Sequence, residues 1–138
     1  MKKGQYFTIE QMLLFVIGVM ITIMIYFSLV AIDDNIKKMA EEDQMYEIGK
    51  MISSEMNRAY LSPKSIELTF DIPKKISEKG YKVYIENNGA EYNLTLKLEE
   101  KVVTIPLESK YNPSGMLFSS SGKIRVEKIG NQITIGRF

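Results

Sequence analysis

The polarity pattern divides the chain into three regimes. From Met12 to Ile32 the sequence reads MLLFVIGVMITIMIYFSLVAI, 21 residues without a charge. At about 1.5 Å per residue a helix of that length spans roughly 31 Å, the depth of a bilayer's hydrocarbon core. Tyr6 and Phe7 stand near one end and Tyr26 and Phe27 near the other, where aromatic rings favour a membrane interface. The pattern predicts a membrane-spanning helix over 12–32 that is retained. A secretory signal has a shorter apolar region, about 7–15 residues, and Leu29-Val30-Ala31 is a poor small-x-small cleavage site. Lys2 and Lys3 before the run and Asp33 and Asp34 after it place the amino terminus in the cytoplasm and the remainder outside.

The period then becomes that of an amphipathic helix. Ile32, Ile36 and Met39, then Met45, Ile48, Ile52, Met56 and Ala59, recur at three- and four-residue spacing. No proline interrupts until Pro63, whose preceding residue disfavours helix. A helix from about Phe7 to Leu61 follows, with the acidic run Glu41-Glu42-Asp43-Gln44 predicting a bend or a stretch without contacts to the rest of the fold.

Beyond Pro63 the period falls to two. Ile66, Leu68, Phe70 and Ile72 alternate with polar residues up to Pro73, and three more strands follow between Tyr81 and Glu108. Asn87-Asn88-Gly89 and Glu99-Glu100 mark their turns, and 122–138 reads as a last hairpin with Gly130-Asn131 at its tip. Six strands in antiparallel succession are expected, lying against the amphipathic helix or forming a small sandwich or barrel. The stretch Ser109 to Gly122 reads as an irregular loop, the best place for surface recognition. The fold class is α+β: a long N-terminal apolar helix with a small β-head of about 75 residues, near the lower limit for an independent core.

Charge and composition remove several functions. Net charge is +1, which gives no electrostatic case for nucleic acid. Without cysteine there is neither a disulfide framework nor a thiolate site, and without histidine the commonest general base and metal ligand are missing. Ser119 to Lys123, SSSGK, lacks the glycine spacing of a phosphate-binding loop, and no serine has a histidine to activate it. No catalytic, cofactor or metal site is expected, and the chain is not read as an enzyme. Charge is uneven along the chain: residues 33–62 carry seven acids and four bases, residues 63–138 twelve bases and nine acids. Stacked copies would bring basic heads against acidic helix segments.

The residues ahead of the apolar run are distinctive. Lys2-Lys3-Gly4 is followed by Gln5, and Phe7-Thr8-Ile9-Glu10 supplies the one charged side chain between Lys3 and Asp33. This stretch of about 30 residues resembles type IV pilin-like proteins, in particular those with archaeal class III signal peptides. In that family a short basic leader ends in glycine and a prepilin-type peptidase removes it on the cytoplasmic side. The resemblance implies processing at Lys2, Lys3, Gly4 and Gln5, a leader of residues 1–4, a helix over 5–62 and an extracellular β-domain over 63–138. Cleavage after Gly4 makes Glu10 the sixth mature residue; cleavage after Gln5 makes it the fifth, the family's usual place. Glu10 is then the residue that pairs with a neighbouring subunit's new amino terminus during assembly.

The implied partners are further copies of the chain or related pilins, the peptidase, and the membrane before assembly, with the product a cell-surface filament for adhesion or motility. The alternative is an unprocessed single-span anchor whose extracellular β-domain binds an envelope partner. Asn93-Leu94-Thr95 is a glycosylation sequon, whereas Asn112-Pro113-Ser114 is excluded by its proline. With Leu94, Leu96 and Leu98 facing the core, Asn93 and Thr95 are expected to turn outward.

Overall fold

A computed structural model describes residues 2–107 and 112–137. The fold is α+β: helix α1 (Lys2–Leu61) precedes β1 (Ile66–Asp71), β2 (Lys82–Asn87), β3 (Tyr92–Leu98), β4 (Lys101–Leu107), β5 (Asn112–Phe118), β6 (Lys123–Ile129) and β7 (Gln132–Arg137). The chain forms two compact units, residues 1–39 and 40–138.

In the first unit α1 starts at Lys2, earlier than the expected Phe7, because nothing before Phe7 stops a helix. Gly4 is tolerated there, and its carbonyl accepts a hydrogen bond from Thr8 Oγ1 at 2.9 Å. Every residue from Lys3 to Ala40 is exposed. Ile36 and Met39, expected in the packed stripe, are 59% and 65% exposed.

The second unit is built on the rest of α1. Met45, Ile48, Ile52, Met56 and Ala59 are buried, as their spacing requires. Gly49 belongs to the same stripe for a steric reason. A Cβ built there would stand 2.3 Å from Ile105 Cδ1 and 2.9 Å from Leu96 Cδ1, so the helix lies against β3 and β4 where only glycine fits. The helix passes through Glu41–Gln44 unbroken, and Glu41 is ion-paired to Lys101 of β4. The expected contact-free stretch is therefore corrected at Glu41.

The strands form one sheet in the order β1-β6-β7-β5-β2-β3-β4, not six strands in succession. The meander β2-β3-β4 and the β6-β7 hairpin turn where expected, at Asn87-Asn88-Gly89, Glu99-Glu100 and Gly130-Asn131. The seventh strand is β5, which occupies much of the segment read as a loop; Ser109 to Tyr111 of that segment lie outside the described residues. Its NPSG sequence is a turn signal, but pairing on both sides prevails. Residues 112–115 run parallel to β7, and 116–118 run antiparallel to β2. Gly115, at φ +133°, permits the parallel half: a Cβ there would lie 2.0 Å from the Ile135 carbonyl oxygen.

The inward sheet face meets α1 through Val83, Leu94, Leu96, Ile105, Val126 and Ile135. Lys128 also points inward from β6 and is 7% exposed. Its Nζ donates to the carbonyls of Tyr60 (3.0 Å) and Ser62 (2.5 Å). A cation is thereby placed on the orphan acceptors and negative dipole end of α1.

Candidate functional site

The first unit's helix surface is the feature with the largest unmet physical demand. Its apolar side chains from Tyr6 to Ile32 are exposed all round, with Phe15 at 73% and Phe27 at 66%. Water does not tolerate such a surface, so lipid or protein must cover it. By length and composition the helix is able to cross a membrane. The few polar side chains in it are already satisfied. Thr22 Oγ1 donates to Gly18 O at 2.8 Å and Ser28 Oγ to Met24 O at 2.9 Å, four residues back in each case. Returning hydroxyls to the helix's own carbonyls removes the desolvation cost that lipid would impose.

Glu10 breaks that rule. Its carboxylate is exposed and has no hydrogen-bond or ion-pair partner among the described residues. Its helical neighbours one turn away are Tyr6, Phe7, Leu13 and Leu14, all apolar or aromatic. A carboxylate at the middle of a bilayer costs a few kcal/mol, and near the edge it reaches the interface at less cost. Lys3, Gly4 and Gln5 lie on the same helix within the two turns before Glu10; the Lys2 side chain is outside the described residues. A Cβ at Gly4 would meet nothing within 4 Å, so the fold itself does not require glycine at this position. At the far end of the run Asp33 binds Lys37 at 2.8 Å, and this hydrogen bond and charge raise the Lys37 pKa above its ordinary value.

In the second unit Asn93 stands on β3, half-buried, registered between Glu86 and Pro106. It faces away from Leu94 and Leu96 as alternation requires. Thr95 shares that face but is not exposed as expected: it is 1% exposed, between Tyr84 and Thr104 in register. Its hydroxyl has no hydrogen-bond partner among the described residues.

A polar clasp joins α1 to the sheet where packing begins. Glu41 is held by Lys101, and Lys79 bonds Glu99 at 2.9 Å. The Lys101 hydrogen bond, then that of the Ser77 hydroxyl, hold the Glu41 carboxyl below the usual carboxylate range. Tyr81 is structural. Its hydroxyl donates to Pro73 O at 2.6 Å, and burial pushes its pKa well above the ordinary tyrosine value. No group of three or more acidic side chains is placed to hold a metal ion among the described residues.

Sequence reasoning missed Gly49 and Lys128. A glycine in a helical stripe signals a close approach, and that signal was present. An inward lysine has no counterpart in alternation rules, because its partners are backbone carbonyls distant in sequence. Comparison of the chain with protein families, with curated proteins and with solved structures found no match.

Proposed function

We infer that this chain is a structural subunit of a type IV pilin-like cell-surface filament, made in the membrane and moved into the filament after removal of a short leader. The observation that carries this reading is an uncovered apolar helix with one unpartnered acid, Glu10, near its start, continuing into a separately cored β-domain. A helix apolar on every side is stable in lipid and equally stable among its own copies, so the same surface serves before and after assembly. A lone carboxylate discriminates between those states. Cleavage after Gly4 or Gln5 creates an α-amino group of ordinary pKa about 7.7–8.0. Pairing that cation with Glu10 of an adjacent copy removes an uncompensated charge from the apolar core and selects one stagger between helices. The β-domain then forms the outer surface, for adhesion or motility.

The test is intact mass and amino-terminal sequencing of the protein from cell envelopes and from sedimented surface fibres. A start at Gln5 or Tyr6 in the fibres is the expected result. An unprocessed start confined to the membrane fraction would overturn the filament reading and leave a single-span anchor carrying its β-domain outside the cell.

A further inference from the structure

The sheet face turned away from α1 carries charges that the single chain leaves opposed. Lys82 of β2 stands directly across from Lys97 of β3. Like charges in directly opposed positions destabilise a sheet. Neither amine has an ion-pair partner among the described residues. Lys82 instead lies over the rings of Tyr84 and Phe118, at 5.1 and 5.8 Å from their centroids. Met116 and Phe118 on this face are 53% and 58% exposed. In the adjoining row Thr95 holds its buried hydroxyl without a partner among the described residues. An acceptor brought to this face would meet two lysines and an apolar floor, the nearby carboxylates Glu99 and Glu86 being already engaged by Lys79 and Tyr84.

The outer face of α1 in the same unit shows the opposite frustration. Asp43 and Glu47 are one turn apart, both exposed, and without an ion pair among the described residues. Like charges at this spacing destabilise a helix. Tyr46 and Met51, 46% and 38% exposed, flank them. The two surfaces lie on opposite sides of the unit, because α1 covers the inward sheet face and presents its own far side to solvent.

The geometry points to a contact between copies of this chain, in which Asp43 and Glu47 of one copy dock on Lys82 and Lys97 of the next. Each self-repelling pair is offset by two opposite charges, giving two ion pairs, while Tyr46 and Met51 come against Met116 and Phe118. Complementary patches on opposite sides of a molecule cannot close a two-fold dimer by themselves. They add copies in one direction, and within a filament the repeat continues from copy to copy without closing into a ring. This contact rests on the filament reading and supplies a head-to-tail interface between β-domain units outside the helical core.

The test uses fibres of the leader-processed chain, starting at Gln5 or Tyr6, from cells producing equal parts of ordinary and nitrogen-15-labelled protein. A water-soluble carbodiimide joins amines to carboxylates already in contact, and peptide mass spectrometry locates the bonds. The expected result is mixed-isotope cross-links from Lys82 or Lys97 to Asp43 or Glu47. In parallel, Lys82→Glu with Lys97→Glu lowers fibre yield about tenfold, as does Asp43→Lys with Glu47→Lys, and combining all four restores it. Fibres that give cross-links only elsewhere, or a fourfold swap that recovers nothing, overturn the contact and leave the filament standing. Absence of fibres from cells that make and process the unsubstituted chain overturns the filament reading, and the contact with it.

Discussion

Replacing Gly49 by alanine sets two effects of opposite sign against each other. In a solvated helix the change stabilises by about 1 kcal/mol, since glycine is the poorer helix former. Here the new methyl group would sit 2.3 Å from Ile105 Cδ1 and 2.9 Å from Leu96 Cδ1. Ile105 is 8% exposed and Leu96 fully buried, so neither side chain has solvent to swing into. Overpacking of this kind costs about 1–3 kcal/mol, so it exceeds the helix gain, and Gly49→Ala should destabilise the β-domain by about 1 kcal/mol. The closer of the two atoms, Ile105 Cδ1, is one that a second substitution removes. Ile105→Val deletes Cδ1 and alone should cost about 1 kcal/mol. In the Gly49→Ala background the same deletion opens the space the methyl group needs, and its cost should vanish or reverse. Urea titration of the four proteins in nonionic detergent, followed by circular dichroism near 218 nm, gives the cycle. A coupling of about 1 kcal/mol or more is expected. Additive single effects, or Gly49→Ala stabilising by the full helix increment, would refute the close-contact explanation.

Gly115→Ala should be the most damaging small substitution in the sheet. It combines a disfavoured φ with a methyl group against the Ile135 carbonyl, for a loss of about 3 kcal/mol read as a shift in urea midpoint. Lys128→Met removes the cation from the Tyr60 and Ser62 carbonyls and should cost about 2 kcal/mol by the same assay, with hydrogen exchange accelerated first in the last turn of α1. Glu41→Gln should show a pH signature. Because the folded-state pKa is depressed, the ionised carboxylate stabilises above its unfolded value of about 4.3, and that contribution is lost as pH falls through the folded value. The midpoint gap between Glu41→Gln and the parent should therefore be constant near neutral pH and close below about pH 4; a gap independent of pH would sink the assignment.

Much of this was legible from periodicity. The apolar run, the stripe from Met45 to Ala59, the β2-β3-β4 meander and the β6-β7 hairpin are all local patterns. Local sequence constrains them through turn chemistry and alternation. What was hidden is non-local. β5 has turn-like residues and exists because two strands distant in sequence receive it. The β1-β6 pair joins segments more than fifty residues apart. Thr95 stands on the solvent-facing side of the alternation yet is buried, because burial there depends on what stands in register on the neighbouring strands. Ile36 and Met39 continue the helical period past the point where the sheet provides a surface, so a correct period gave an incorrect burial. Of the candidate site, Gly4 and Glu10 were legible by residue type, while Lys82 and Lys97 become neighbours only through register.

The strand order also dictates the sequence of events by which a newly delivered chain matures. β2, β3 and β4 are able to pair as soon as they emerge, since each contacts the next through a short turn. β1 has to wait for β6, and the parallel half of β5 has to wait for β7, which is made after all the others and lies between β6 and β5. A chain made from its amino end therefore carries an incomplete sheet until its last strand is present, with Ile66, Leu68 and Phe70 lacking their β6 partner along one edge. Closure is a late, single step that depends on long-range pairing and is correspondingly slow and exposed to misassociation. Residues 132–137 are thus the segment whose arrival joins the two halves of the sheet.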